Sequence, residues 1–168
     1  MSLSMYQASV PVFIHMLGNL SAILGKAAAY AETKKIAHPV LLGSRLAPDM
    51  LPLSAQIQIA CDSAVRCASR LAGVDLPSNP DTETSIPEFQ ERIAKSIAFL
   101  KSVSAAQIDG SEERTVTLQM RTGEMKFQGQ PFLLGFALPN FYFHLTTAYA
   151  ILRHNGLDIG KADFLGKY

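Results

Sequence analysis

The stretch PNFYFHLTTAYAILRHNG, residues 139–156, decides the fold because its residues repeat at helical spacing. The repeat begins slightly upstream, at alternating steps of four and three, and consists of Leu133, Ala137, Asn140, His144, Thr147 and Ile151. A helix with this stripe turns His144 toward the core or a cavity. Gly156 is a typical helix stop, and Pro139 should bend the helix. The stretch predicts a long core helix with an inward histidine.

Three more amphipathic helices are predicted upstream, each from apolar residues spaced three or four apart. Their starts and ends follow from capping residues, prolines and glycines. The predicted helices run from about Ser4 to Ala31, from near Asp49 or Pro52 to Gly73, from a Ser85/Glu88 capping box onward, and from Gln130-Pro131 to about His154. The fold class is therefore all-α, a four-helix bundle.

A change of period marks one exception to the helical pattern. Between Arg114 and Phe127 apolar and polar residues alternate, and RTGE, residues 121–124, supplies a turn. This segment predicts a short β-hairpin between the third and fourth helices.

Composition limits the classes of protein to which the chain can belong. It has 168 residues, 48% of them hydrophobic, and a formal net charge of +1. That is enough for one domain, residues 1–168, and the charged residues form no basic run for nucleic acid. The sequence has no apolar run long enough to span a membrane, so no membrane partner is predicted. The N-terminus lacks the basic, apolar and small-residue zones of a signal peptide. We expect a cytoplasmic protein.

The two cysteines, Cys61 and Cys67, are predicted to be small core residues. At six residues apart on one helix they point in different directions, so they cannot bridge each other. Neither has an activating neighbour in the sequence, which argues against a nucleophile.

The other polar candidates lie at the start of the second helix. Gln56 shares a face with apolar residues, so it should point inward and need a hydrogen-bond partner. Arg45 and Asp49 lie in the loop before the helix, where Asp49 is also a candidate cap. Asp62 and Arg66 have the spacing of a surface ion pair. His144 is open to two interpretations, a hydrogen-bonded core residue or a ligand.

Four motifs carry a resemblance that spans essentially the whole chain: RLAPDM, QIACDSA, RLAG and LPNFYFHLTTAYAILRHNGLDIGKADFLG. They resemble an uncharacterised bacterial family of the DinB-like superfamily. The resemblance implies a bundle of up-down-down-up topology and a homodimer. It also implies that metal-binding relatives use one histidine of the second helix and an HxxxH pair of the fourth. Some of those relatives transfer groups to or from low-molecular-weight thiols.

The metal ligands of that superfamily are only partly present. His144 matches the first histidine of HxxxH, but Ala148 takes the second position and the second helix has no histidine. We therefore predict no metal cofactor and a degenerate metal site. The predicted function is a metal-free module for a small polar or anionic ligand or for interactions, with a pocket of His144, Asn140, Gln56, Arg45 and Asp49. The alternative is a metal-dependent or cryptic thiol S-transferase that uses His144, so enzyme activity stays open.

Overall fold

Four long helices and one β-hairpin form the framework of the residues that the structure describes. The structure is a computed structural model that describes residues 3–120 and 123–167, without the side chain of Met120. In chain order the elements are α1 (Val10–Lys34), α2 (His38–Leu42), α3 (Leu53–Ala72), α4 (Ile86–Ser102), α5 (Ala105–Ile108), β1 (Thr115–Met120), β2 (Gly123–Gln128), α6 (Gly129–Phe132), a π-helical segment (Leu133–Ala137), α7 (Leu138–His154) and α8 (Lys161–Leu165).

The directions of the long helices follow from their cross-contacts. Residue numbers rise together between parallel helices and run oppositely between antiparallel ones. The contacts are Phe13 with Phe141 and Tyr30 with Asn155 between α1 and α7, Gln58 with Glu83 and Asp62 with Arg92 between α3 and the α4 region, and Gln56 with His144 and Ser63 with Asn140 between α3 and α7. Thus α1 is parallel to α7, and α3 is parallel to α4 but antiparallel to α7. This is the predicted up-down-down-up bundle.

Helix α1 supplies much of the core. Its buried stripe includes Phe13, whose ring packs edge-on against Phe141 with centroids 4.9 Å apart. Among the described residues, α1 is the one helix that is long and apolar enough to cross a membrane. Core helices pass the same test, and the absence of a membrane partner stays a prediction.

The first helix begins at Val10 and not near Ser4 as predicted, but two other helix ends agree with the sequence signals. Gly73 ends α3 with a φ of +68°, a left-handed conformation that favours glycine. At the start of α4 the Glu88 carboxylate accepts hydrogen bonds from the Ser85 and Thr84 N–H groups, at 2.9 and 2.6 Å. The predicted capping box is therefore confirmed.

The last long helix is continuous from Gly129 to His154, but one turn of it is π-helical. The Leu138 N–H bonds to the Leu133 carbonyl, five residues back. Pro139 follows immediately, and in a regular α-helix its ring would clash with the carbonyl of Gly135. The wider turn removes that clash, so the distortion expected from Pro139 takes the form of a π-helical turn.

The predicted hairpin is confirmed. Strands β1 and β2 pair antiparallel, with Val116 opposite Phe127 and Leu118 opposite Met125. Val116 and Leu118 are buried, whereas Met125 on the opposite strand is exposed. Arg121 and Thr122, which begin the predicted RTGE turn, lie outside the described residues.

The connection from α3 to α4, residues 73–85, is held by a buried arginine. The Arg92 side chain is 1% exposed and contacts three carboxylates: Asp62 of α3 at 2.8 Å, Asp81 at 3.0 Å and Glu83 at 2.8 Å. Although burial opposes it, hydrogen bonds from Gln58 and Arg92 hold the pKa of the Glu83 carboxyl below its usual value. Arg92 thus ties the connection to both parallel helices.

Replacing this buried cation should cost much more stability than replacing an exposed one on the same helix. Arg92→Ala leaves carboxylates without their partner, so the free energy of unfolding should fall by about 3 to 5 kcal/mol. The control is Lys95→Ala, which removes an exposed cation paired with Glu91 and should cost less than about 1 kcal/mol. Urea denaturation of both variants measures the difference, and equal losses would contradict the role given to Arg92.

Candidate functional site

His144 of α7 and Gln56 of α3 form a buried hydrogen-bonded pair. The His144 Nδ1 to Gln56 Oε1 distance is 2.7 Å, and the Gln56 Nε2 group donates to the Leu51 carbonyl at 3.1 Å. A backbone carbonyl can only accept, so the amide group of Gln56 must face Leu51 and its oxygen must face the imidazole. His144 therefore donates from Nδ1, and Nε2 carries the lone pair. Gln56 was expected to need a hydrogen-bond partner, and the structure shows that this partner is His144.

Burial keeps this imidazole neutral. His144 is 8% exposed, and desolvation lowers its pKa below the usual histidine value. The pair is a polar link between two core helices, with one nitrogen left for further contacts.

The residues around His144 do not fit a transition metal. Nδ1 and the Gln56 oxygen are committed to each other, and Ala148 offers no ligand atom. Zinc needs several nitrogen, sulfur or carboxylate ligands near 2 Å. Within residues 3–120 and 123–167, no group of three or more His, Cys, Asp or Glu side chains could hold an ion.

Among the interactions of the described residues, no hydrogen bond or ion pair joins Arg45 or Asp49 to this pair. The Arg45 guanidinium donates to the carbonyl of Met50, which folds the loop onto itself, and both Arg45 and Asp49 are exposed. The five predicted pocket residues therefore divide into a buried pair, two exposed loop residues and Asn140. As a common ligand pocket they stay a prediction.

Asn140 instead lies at a cavity of about 210 Å³ between α3, the hairpin and the last helix. We call it the arginine groove, defined by Ser63, Arg66, Arg70, Leu118, Phe136 and Asn140. The Asn140 Nδ2 group donates to the Ser63 hydroxyl at 2.8 Å, so the amide is held in place. The π-helical turn contributes Phe136 and Ala137 to the wall. Such turns occur frequently at functional sites.

The groove has two neighbouring guanidinium groups. Arg66 pairs at 2.9 Å with Asp62, whose carboxylate also lines the groove, whereas no carboxylate of the described residues pairs with Arg70. Burial and the positive charge of Arg66 lower the pKa of Arg70. An anion between the two arginines would relieve this repulsion.

Neither cysteine is a nucleophile in this arrangement. Both are free and buried, and burial raises the pKa of the Cys61 thiol to about 12 despite a hydrogen bond with Ser96. Burial also raises the pKa of Cys67. Both behave as the small core residues predicted from the sequence.

Sequence reasoning missed Arg70 and gave Arg66 only a surface role. A signal was present, because Ile59, Ser63, Arg66 and Arg70 recur at steps of four, three and four on one face of α3. The opposite wall, from β1 and the π-helical turn, depends on tertiary packing that periodicity does not encode.

The bundle with parallel middle helices and a hairpin before its last helix defines a DinB-like protein. The chain matches the family described as "Domain of unknown function (DUF1993)" over residues 5–165, and it belongs to that family. It is similar to a crystal structure of a DinB family member protein from Shewanella denitrificans, with 42% identity and a TM-score of 0.89. That match covers 97% of this chain and 92% of the other. No curated protein matches the chain.

His144 should make stability depend on pH in the mildly acidic range. Its pKa is lower in the folded protein, so the unfolded chain takes up a proton first as the pH falls below about 6.5. The stability that His144 contributes is therefore fully present above that pH, and it is lost progressively as the pH falls toward the lowered pKa of the folded state. His144→Gln should flatten the decline in unfolding free energy between pH 7.5 and 5.5, measured by urea denaturation.

The control for this experiment is His154→Gln, because His154 is exposed at the end of α7. It should keep the wild-type dependence on pH. If the free energy of unfolding of His144→Gln declines with falling pH as steeply as that of the wild type, His144 is not the source of the pH dependence.

Proposed function

We propose that the protein is a metal-free binding module that holds a small organic anion in the arginine groove. The observation that carries this proposal is the pair of guanidinium groups on α3, of which Arg70 lacks a carboxylate partner among the described residues. Arginine recognises carboxylates through two parallel hydrogen bonds, which makes the pair suited to an anionic head group.

The remaining walls suggest what the anion carries. Phe132 and Phe136 lie 6.0 Å apart in a stacked arrangement and line the groove with Leu118. An aromatic ring can pack on these side chains, while the Asn140 oxygen, whose amide nitrogen is engaged by Ser63, is available to accept a hydrogen bond. The cavity of about 210 Å³ limits the ligand to a small one. Aryl carboxylates of the size of phenylacetate meet these requirements.

His144 contributes to this proposal through the helix that carries Asn140. One turn separates the two residues on α7, and the Gln56 contact fixes that part of α7 against α3. In this proposal His144 is a positioning residue, and the degenerate metal site has become a structural link. The expectations of a homodimer and of a cytoplasmic location are also part of the proposal; light scattering of the purified protein tests the former.

Arg70→Gln tests the proposed ligand. Removing a charge-assisted bond costs about 1.5 to 3 kcal/mol, so the Kd for phenylacetate should rise at least about tenfold. The measurement is an NMR titration of amide shifts at fixed pH and salt. Arg45→Gln is the matched control, since Arg45 is an exposed arginine outside the groove, and its Kd should equal that of the wild type. If Arg45→Gln weakens binding and Arg70→Gln does not, the groove is the wrong site.

The alternative, a metal-dependent or cryptic thiol S-transferase, is tested by elemental analysis. After incubation with zinc, nickel, manganese or iron and removal of excess metal, the protein should retain no stoichiometric ion, because His144 offers a single free nitrogen. His144→Ala should give the same result. Stoichiometric metal in the wild type that disappears in His144→Ala would overturn the proposal and favour the enzyme.

A further inference from the structure

A second cavity, with a volume of about 280 Å³, is bounded by α3, α4 and the connection between them. We call it the loop cavity, defined by Val65, Arg66, Leu76, Ser78, Lys95 and Phe99. The proposed function makes no use of this cavity.

The loop cavity combines an apolar floor with two cations. Val65, Leu76 and Phe99 are its apolar side chains, and Leu76 is 49% exposed although it belongs to this wall. Lys95 and Arg66 supply positive charge, and the Asp62 carboxylate, which is paired with Arg66 and Arg92, also lines the cavity. This distribution suits a ligand with an apolar body and one negative group.

Both cations can take a new partner at low cost. Lys95 pairs with Glu91 at 2.9 Å, but both side chains are 66% exposed, so water weakens the pair. Arg66 shares Asp62 with the buried Arg92, and its own side chain is 51% exposed. An anion at the rim would gain two positive contacts while Asp62 keeps its bond to Arg92.

The outer wall of the cavity is held in place before any ligand arrives. Arg92 contacts the Pro80 carbonyl at 3.3 Å, Asp81 at 3.0 Å and Glu83 at 2.8 Å. These contacts anchor the connection directly after Leu76–Asn79, the residues that form the wall. A wall that is already ordered reduces the entropy lost on binding. The Nε atom of Arg92 is buried and has no partner, so the cluster is not fully satisfied in itself.

We propose that the loop cavity is a second binding site, which takes a small aliphatic monoanion such as a medium-chain carboxylate. The carboxylate lies between Arg66 and Lys95, and the alkyl chain packs on Val65, Leu76 and Phe99. Its apolar wall and Lys95 distinguish this site from the arginine groove, although Asp62 and Arg66 border both cavities. It does not depend on the ligand proposed for the groove.

An NMR titration with octanoate, below its critical micelle concentration, tests the proposal. We expect saturable binding with amide shifts at Leu76–Asn79 and in α4 near Phe99. Leu76→Asp should raise the Kd at least about tenfold, because it removes apolar contact and adds a like charge. Lys95→Gln should raise it at least about threefold. Both positions are well exposed, so these variants should fold.

Two matched controls separate this site from the groove and from general electrostatics. Arg70→Gln lies in the arginine groove alone and should leave the octanoate Kd unchanged. Lys101→Gln removes another exposed lysine of α4 and should also have no effect. Wild-type binding by Leu76→Asp and Lys95→Gln, or no saturable binding by the wild type, would overturn the proposal. So would a loss of octanoate binding in Arg70→Gln, whatever the outcome with phenylacetate.

Discussion

The buried guanidinium of Arg92 is the interaction on which the arrangement of the middle helices depends. A charge that is 1% exposed is tolerable only with close partners, and the chain supplies Asp62 from α3 together with Asp81 and Glu83 from the connection. Parallel neighbours cannot be joined by a tight turn, so residues 73–85 must return along the bundle. The ion pairs give this returning segment a defined path.

The same arginine influences both cavities through Asp62. One oxygen of Asp62 contacts Arg92 and the other contacts Arg66, so the buried charge orients the exposed one. Arg66 then lies between the arginine groove and the loop cavity. The groove is completed from the other side by the π-helical turn that Pro139 imposes, which brings Phe136 to the wall one turn before Asn140. The buried charge of Arg92 and the π-helical turn thus shape the two cavities that lie along α3.

The sequence was sufficient for features with a local physical signal. The Ser85/Glu88 capping box, the stop at Gly73 and the hairpin depend on neighbouring residues, and each is confirmed. The inward direction of Gln56 and His144 followed from helical periodicity. Their contact did not, because it depends on how α3 packs against α7. Arg92 was missed because an arginine next to an apolar stripe is normally assigned to the surface.

The positions of Arg45 and Arg70 illustrate the same limit. Arg45 and Asp49 are near Gln56 in sequence, but the Arg45 guanidinium donates to the carbonyl of Met50 within the loop. Arg70, which is distant from Asn140 in sequence, lines the same groove. The packing of helices that are far apart in sequence decides which residues lie together. Closeness along the chain does not predict it.

The pairing of Gln56 with His144 also has a consequence for synthesis. The two residues are 88 positions apart in sequence, so Gln56 leaves the ribosome long before its partner exists. Until the residues of α7 have been synthesised, the part of α3 that packs against α7 in the folded protein lacks that cover. Because α3 makes its most extensive helix contacts with α7, the packing of this face is completed only after α7 has emerged.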